Sequence, residues 1–307
     1  HPAIKGDPGE SRASNINPYR VDAPDVVLPR RSTPLCPVPE VGIGNKPIDG
    51  GHYLFTTEER DEFLRIEPAA AQFFRRWIGA DEFLNGYERW CLWLGQANPA
   101  ELRALPESRK RIQAVRDTRL ASKSAPTRKL AETPTRFHVE NIPDAAYMVL
   151  PKVSSERRMF IPFGFEQPST FSSDLVFVLP KASLWHLGVL SSTMHNAWVR
   201  YTCGRLESRY RYSASIVYNN FPWPVETLEA RLRQAVADAA QGVLDARAQF
   251  PGSSLADLYD PLTMPPELRK AHQKLDKAVD AAYGYKGRAD DAERVAFLFE
   301  RYQALSG

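Results

Sequence analysis

The hydrophobic period changes once, sharply, between Leu184 and Tyr218. Leu184, Leu187, Leu190, Met194, Ala197, Trp198 and Tyr201 recur three or four residues apart, the spacing that aligns side chains along one face of a helix, and they predict one long buried helix over residues 184–203. Gly204 follows, a residue able to close that helix in a left-handed conformation. Beyond it the period drops to two, which predicts a strand. Tyr210, Tyr212, Ala214, Ile216 and Tyr218 fall on one face, and Glu207, Arg209, Arg211, Ser213 and Ser215 on the other. One face can pack; the other is polar.

The same reading extends along the chain. Residues 1–20 are rich in Pro, Gly and Ser without periodicity, as in a linker, and residues 21–41 are broken by proline into short extended pieces. A turn is expected at 45–51, then a helix capped by Thr56 or Thr57 with Glu58 and Glu59 in its first turn. A short helix over 69–78, a strand over 88–94 and helices over 101–105 and 108–120 follow, and residues 121–134 read as a loop. Apolar runs at 147–153, 159–165 and 175–179 predict strands, with Ser172, Ser173 and Asp174 in the connection before the last. After Pro224 the period becomes helical: Leu228, Leu232, Val236, Ala239 and Val243, then Leu268, Ala271, Leu275 and Val279 behind Pro265 and Pro266, then Val295, Leu298, Phe299 and Tyr302 behind Asp290 and Asp291. The expected fold class is α+β: a domain over 21–225 with a mixed or antiparallel sheet and a long buried helix, then a small helical bundle over 226–307.

Charge sharpens this picture. Residues 101–225 carry 18 Lys and Arg against 10 Asp and Glu, although the whole chain is only +3. Phosphate neutralisation requires such a local surplus. Arginine can donate two bonds to O6 and N7 of guanine and glutamate can accept from N4 of cytosine, so the face bearing Glu207, Arg209 and Arg211 is chemically able to read base edges. A solvated strand whose charges pair with one another has the same alternation, and spacing alone does not separate the two. Lys123, Arg128 and Lys129 fit phosphate contacts or a solvated connector equally well. Ser173 and its neighbours could enter a groove or form an ordinary serine-rich turn.

Other chemistry is not supported. No run approaches the roughly 20 apolar residues that span a bilayer, and the start HPAIKGDPGE lacks a signal-peptide core; a cytoplasmic location is expected. Cys36, Cys91 and Cys203 contain no CxxC pair, and the histidines show no HxxH or HExxH spacing. His195 reads as a packed or hydrogen-bonded side chain. No nucleophile, paired-carboxylate or metal constellation stands out. That leaves a nucleic-acid reader, with a protein-interaction module or non-specific nucleic-acid-binding domain as the alternative; only nucleic-acid binding should weaken steeply with salt.

Long motifs carry a resemblance. SSERRMFIPFGF, SSTMHNAWVRYTCGRLESRYRYS and IVYNNFPWP resemble the target-recognition domain of the MmeI-like class of DNA adenine methyltransferases, single-chain restriction-modification or phage-defence proteins. INPYRVDAPDVVLPRRSTPL, GNKPIDGGHYL and FLNGYERWCLWL resemble the segments leading into it, and LADLYDPLTMPPELRKAHQKLDKAVDAAYG resembles the helical tail. The resemblance implies double-stranded DNA as partner, read by Glu207, Arg209, Arg211 and Ser173 and held at its phosphates by Lys123, Arg128, Lys129, Arg157, Arg158 and Arg205. It further implies an upstream methyltransferase domain in the same polypeptide that uses S-adenosylmethionine on adenine N6, in some relatives beside a nuclease. The cofactor's Gly-rich loop and the D/N/S-P-P-Y/F/W tetrapeptide that holds a flipped adenine do not occur: Asn17-Pro18-Tyr19 lacks the second proline, and Asn220-Phe221-Pro222-Trp223 has a different order. Nor is a PD…D/ExK nuclease pattern visible. These 307 residues are expected to bind DNA rather than catalyse, with no cofactor of their own.

Overall fold

Tyr19, inside the stretch expected to be a linker, packs its ring 4.9 Å from that of Phe299 near the far end of the chain. The computed structural model describes residues 15–224 and 228–307; the remainder of the expected linker, residues 1–14, and the expected boundary at 225–226 lie outside the described residues. Residues 15–20 are folded. Asn17 is buried and its side chain accepts from the backbone N–H of Tyr19 and Val21, closing a turn stitched by a bridge between Ile16 and Asp22.

The first half supplies most of a small body, completed by β8 from the second half. Strands β1 (Gly42–Ile43) and β2 (Leu54–Phe55) flank the expected turn, where Ile48, Gly50 and Gly51 adopt positive φ. Helix α1 (Thr57–Ile66) starts at Thr56, whose hydroxyl accepts from Glu59 N while the Glu59 carboxylate accepts from Thr56 N, satisfying two N-terminal donors reciprocally. The expected helix over 69–78 is instead a 3₁₀ turn (Pro68–Phe73) running into strand β3 (Phe74–Ile78). Phe74, Trp77 and Ile78 find their partners in a sheet, and that tertiary burial overrides local propensity. Helix α2 (Ala80–Asn85), strand β4 (Trp90–Leu92), helix α3 (Pro99–Arg103) and helix α4 (Pro106–Leu120) follow. The segment expected as a loop contains helix α5 (Ala125–Lys129) and a 3₁₀ turn (Leu130–Glu132).

The second half interleaves with it. Strands β5 (Tyr147–Pro151), β6 (Val153–Ser154), β7 (Gly164–Glu166), β8 (Thr170–Ser172) and β9 (Val176–Pro180) precede helices α6 (Leu184–Ser191) and α7 (Thr193–Thr202). Strands β10 (Gly204–Leu206) and β11 (Arg209–Arg211) form a hairpin, and helices α8 (Ala230–Ala248), α9 (Leu255–Leu258), α10 (Pro266–Tyr283) and α11 (Asp291–Ser306) complete the chain. Among the described residues three sheets result: an antiparallel one ordered β1-β9-β5-β7, a mixed one ordered β2-β4-β3-β8 in which β3 and β8 run parallel, and an antiparallel one ordered β10-β11-β6. The α+β class with mixed and antiparallel sheets is as expected.

Three expectations around residues 184–218 are corrected. The long helix is two helices, broken at Ser192, whose backbone is extended and whose hydroxyl donates to Val189 O and accepts from His195 N. One serine thus ends α6 and caps α7. Gly204 does not close the helix in a left-handed turn: Cys203 leaves α7 already extended, and Gly204 opens β10. The strand does not reach Tyr218, because the chain coils into a π-helical turn (Ala214–Tyr218) after β11.

Among the described residues two large apolar cores hold the protein, with a small third cluster of Ile78, Tyr147, Val149, Val176 and Val178. One joins Tyr53, Phe55, Phe63, Phe74, Trp77, Trp93 and Phe171 around the mixed sheet. The other runs without interruption from Met148 and Leu179 through Leu187, Leu190 and Trp198 to Val236, Leu275, Leu298 and Phe299. The C-terminal helices are therefore not an appendage with a core of their own. Helix α6 lies so close to α8 that a Cβ on Gly188 would stand 2.6 Å from a Val236 methyl, which admits glycine alone without displacement. Each fully buried leucine or phenylalanine in such a core contributes about 1.5–3 kcal/mol.

Candidate nucleic-acid interface

The hairpin places its charges by strand pairing. Leu206 lies opposite Arg209 and Gly204 opposite Arg211, while Arg205 lies opposite Tyr210. Directly opposed residues share a face, so Leu206, Arg209 and Arg211 occupy one side of the ribbon and Arg205 and Tyr210 the other. Tyr210 and Tyr212 are buried, and Arg209 and Arg211 are exposed, matching the expected inward tyrosines and outward arginines. Strand β11 is held from its other side by β6, with Tyr210 opposite Ser154 and Arg211 opposite Val153.

Glu207 is not on the strand face. It occupies the turn between the strands in a left-handed conformation, φ 57°, uncommon for a residue other than glycine. From there its carboxylate accepts from Arg209 Nη2 at 2.9 Å. Both side chains are solvent-exposed, so the pair itself adds little stability. Its effect is on orientation. Arg205, expected with the phosphate contacts, caps the Tyr210 ring at 4.1 Å and donates to Ser208 O; it faces away from Arg209 and Arg211.

A second charged group adjoins the first. Tyr212 N donates to Lys152 O at 2.8 Å, which brings Lys152 beside the end of β11. Its ammonium donates to Asp174 O and sits 4.7 Å from the Phe177 ring centre. Burial pulls its pKa below the usual lysine value; Asp174 opposes that, and the positive charges of Lys46 and Arg211 reinforce it. Lys46 in turn lies 3.9 Å from the Asp174 carboxylate. The tract Arg209, Arg211, Lys152, Asp174, Lys46 is continuous, and exposed Leu206 and Leu175 punctuate it. Lys152 and Lys46 are absent from the sequence-based expectation; Lys152 comes beside the arginines only through the pairing of β6 with β11.

Ser173 is corrected. It is 4% exposed, its N–H donates to Ile78 O at 2.7 Å, and its hydroxyl accepts from Leu175 N. Ser172 is also buried, with Tyr147 Oη 3.0 Å from its Oγ. Between β8 and β9 only Asp174 and Leu175 reach the surface.

The remaining basic residues divide. Arg157 is exposed. Arg158 is half-buried beside Ser154, and burial lowers its pKa while Asp260 opposes the shift, so its charge is turned toward the C-terminal region. Lys123, Arg128 and Lys129 are exposed around α5, on the body built over Phe55 and Trp93. Arg128 Nη1 donates to Ser122 O and Lys123 O, both at 2.9 Å, which shapes the segment. Beneath them Arg119 is 1% exposed and donates to five carbonyls: Pro47, Ile48, Leu130, Thr133 and Arg136.

Among the described residues no three His, Cys, Asp or Glu side chains converge as metal ligands, and no helix is long and apolar enough to cross a membrane.

Known proteins match this chain along its whole length. The family described as "MmeI, target recognition domain" covers residues 22–225, and "MmeI, C-terminal domain" covers residues 228–307. DNA methyltransferase A of Bacillus subtilis (strain 168) is 39% identical over 293 residues, which is 95% of this chain and 33% of that protein. The solved structure of the Type IIL restriction-modification enzyme MmeI in complex with DNA is 48% identical and superposes with a TM-score of 0.93, over 100% of this chain and 41% of that one. The chain thus spans a third to two-fifths of the length of these relatives. It belongs to the MmeI family, of which it carries the target recognition domain and the C-terminal domain.

Proposed function

We propose that this chain recognises a specific double-stranded DNA sequence on behalf of a methyltransferase domain upstream in the same polypeptide, which transfers a methyl group from S-adenosylmethionine to adenine N6. The carrying observation is the hairpin: Arg209 and Arg211 stand on one solvent-facing side of a ribbon whose other side is anchored by buried tyrosines. Discrimination between bases needs donors held in place, and a bidentate arginine–guanine pair supplies about 1–3 kcal/mol of it. Glu207 orients Arg209 and can accept from a cytosine amine. Leu206, on the same side, offers apolar contact to a thymine methyl. Lys152, Asp174 and Lys46 extend the reading surface, and Lys123, Arg128, Lys129 and Arg157 supply phosphate contacts that set position without sequence information. The family and the DNA-bound relative support this reading.

The test is selection of binding sites from a duplex library with randomised positions, followed by affinity for the selected duplex over a salt series. A preferred sequence and an affinity falling steeply with salt are expected. Recovery of no preferred sequence with a steep salt dependence refutes the proposal in favour of non-specific nucleic-acid binding, and an affinity indifferent to salt refutes it in favour of a protein-binding module.

A further inference from the structure

Tyr212 follows directly on strand β11, and its hydroxyl lies 3.0 Å from Nε2 of His195 on α7. The imidazole is fully buried, and its Nδ1 lies 2.8 Å from Leu190 O. A carbonyl only accepts, so Nδ1 carries the proton and donates to it. Burial holds His195 neutral, its pKa pushed down to about 3. Nε2 is then bare, and the Tyr212 O–H must be the donor. The direction of every proton in the relay is thereby fixed: Tyr212 O–H to His195, His195 N–H to Leu190 O.

A second bond from the same helix reinforces the first. One turn further along α7, Trp198 Nε1 donates to Val217 O at 3.0 Å, inside the π-helical turn that follows β11. Helix α7 therefore grips the chain at 212 and again at 217, while Tyr212 N is held by Lys152 O. Residues 209 and 211 lie immediately upstream of this grip. His195 is also boxed by Phe221, ring centres 4.8 Å apart, so it cannot rotate away.

We infer that His195 is a positioning residue for base reading: by accepting the Tyr212 hydroxyl it sets the height and register at which Arg209 and Arg211 stand above the protein surface. The inference rests on the proposed reading role of the hairpin. Tyr212 without its hydroxyl keeps the ring in the core but loses the registration bond, and the hairpin gains freedom to slide against α7.

The experiment is site selection from a randomised duplex library with the full chain, comparing wild type, Tyr212→Phe, His195→Gln and His195→Leu. The wild type should select a sequence; if it does not, the reading role itself fails. Given that it does, Tyr212→Phe should lower discrimination by about fivefold to tenfold, the size of one buried hydrogen bond, at the base pairs whose preference also changes in Arg209→Ala or Arg211→Ala. Other positions of the site and the affinity for random duplex should stay unchanged. Glutamine retains an acceptor in place of Nε2, so His195→Gln should keep more of the discrimination than His195→Leu. A Tyr212→Phe chain that is folded by circular dichroism and selects as the wild type does overturns the inference, and so does one that loses discrimination evenly at every position.

Discussion

Arg209 Nη2 and Glu207 Oε2 meet at 2.9 Å around the hairpin turn, a contact between neighbours on one ribbon that closes the tip and aims the guanidinium. Reversing the pair as Glu207→Lys with Arg209→Asp keeps opposite charges at the same two positions while exchanging donor for acceptor. The exchange should shift the preferred base pair at one position of the recognised sequence and leave random-duplex affinity nearly intact. Methylation mapping of a full-length protein carrying the exchange reads the outcome; an unaltered sequence, or equal weakening on all DNA, would return the pair to a role in the fold alone.

Lys123 and Lys129 are exposed and unpaired among the described residues, whereas Arg128 is occupied with Ser122 O and Lys123 O. Neutralising either lysine with glutamine should flatten the slope of log affinity against log salt by about 0.9, one phosphate contact, uniformly over duplex sequences. Arg128→Gln should do the same and also loosen α5, visible as faster amide exchange there. A change confined to one sequence would mean that this segment reads bases.

Arg119→Lys tests the buried hub under that segment. A lysine has one nitrogen and cannot reach five carbonyls spread from Pro47 to Arg136. With each bond to a charged donor worth about 1.5–3 kcal/mol, the loss should be about 3 kcal/mol or more. Hydrogen exchange should quicken first in α4 and residues 47–54 and later, if at all, in α8 to α11. Uniform acceleration over the whole chain would contradict the separation of the two large cores.

Stability should fall on mild acidification. Burial pushes His195 down to about 3 and His272 well below 6.5, and burial with the nearby Arg233 charge pushes His186 down to about 4. Below the ordinary histidine value the unfolded chain takes up protons that the folded chain refuses, so stability is full above pH 6.5 and is lost as pH falls. The two fully buried histidines each contribute a slope of about 1.4 kcal/mol per pH unit. Half-buried Asp276 and Glu166, whose values burial raises, work in the opposite direction at lower pH. Thermal unfolding between pH 7 and 5 should show a falling midpoint, made shallower by His272→Gln; a flat profile would mean that the histidines are accessible.

What could be read from sequence followed local rules with few competitors. The alternation of Tyr210 and Tyr212 with Arg209 and Arg211 needs only the two-residue strand period, and the helices after Pro224 carry their starts at Pro265 and Asp290 and a left-handed stop at Gly284. Glu207 escaped because its place at the turn depends on where the hairpin bends. Ser173 and Asp174 show the same limit at a resolution of one residue: the register of β8 against β3 decides which of two neighbours is buried. Ser192 can cap a helix, but the apolar spacing runs straight across it, so periodicity alone joins two helices into one. Lys152 and Lys46 had no local signature, since their proximity to Arg211 comes from pairing residues far apart in sequence.

The uninterrupted core also dictates an order of events during biosynthesis. Trp198, on the helix that grips the hairpin, lies 5.3 Å from Phe299, and Tyr302 donates to Asn220 just beyond the π-helical turn. At about 5–20 residues per second, the ribosome needs roughly 5 to 20 s to travel from Tyr212 to Tyr302. Over that interval the body around Phe55 and Trp93 can already close, because its partners are all made, while α7 still lacks its last covering helix. The proposed reading hairpin therefore gains its full support only once α11 has been synthesised.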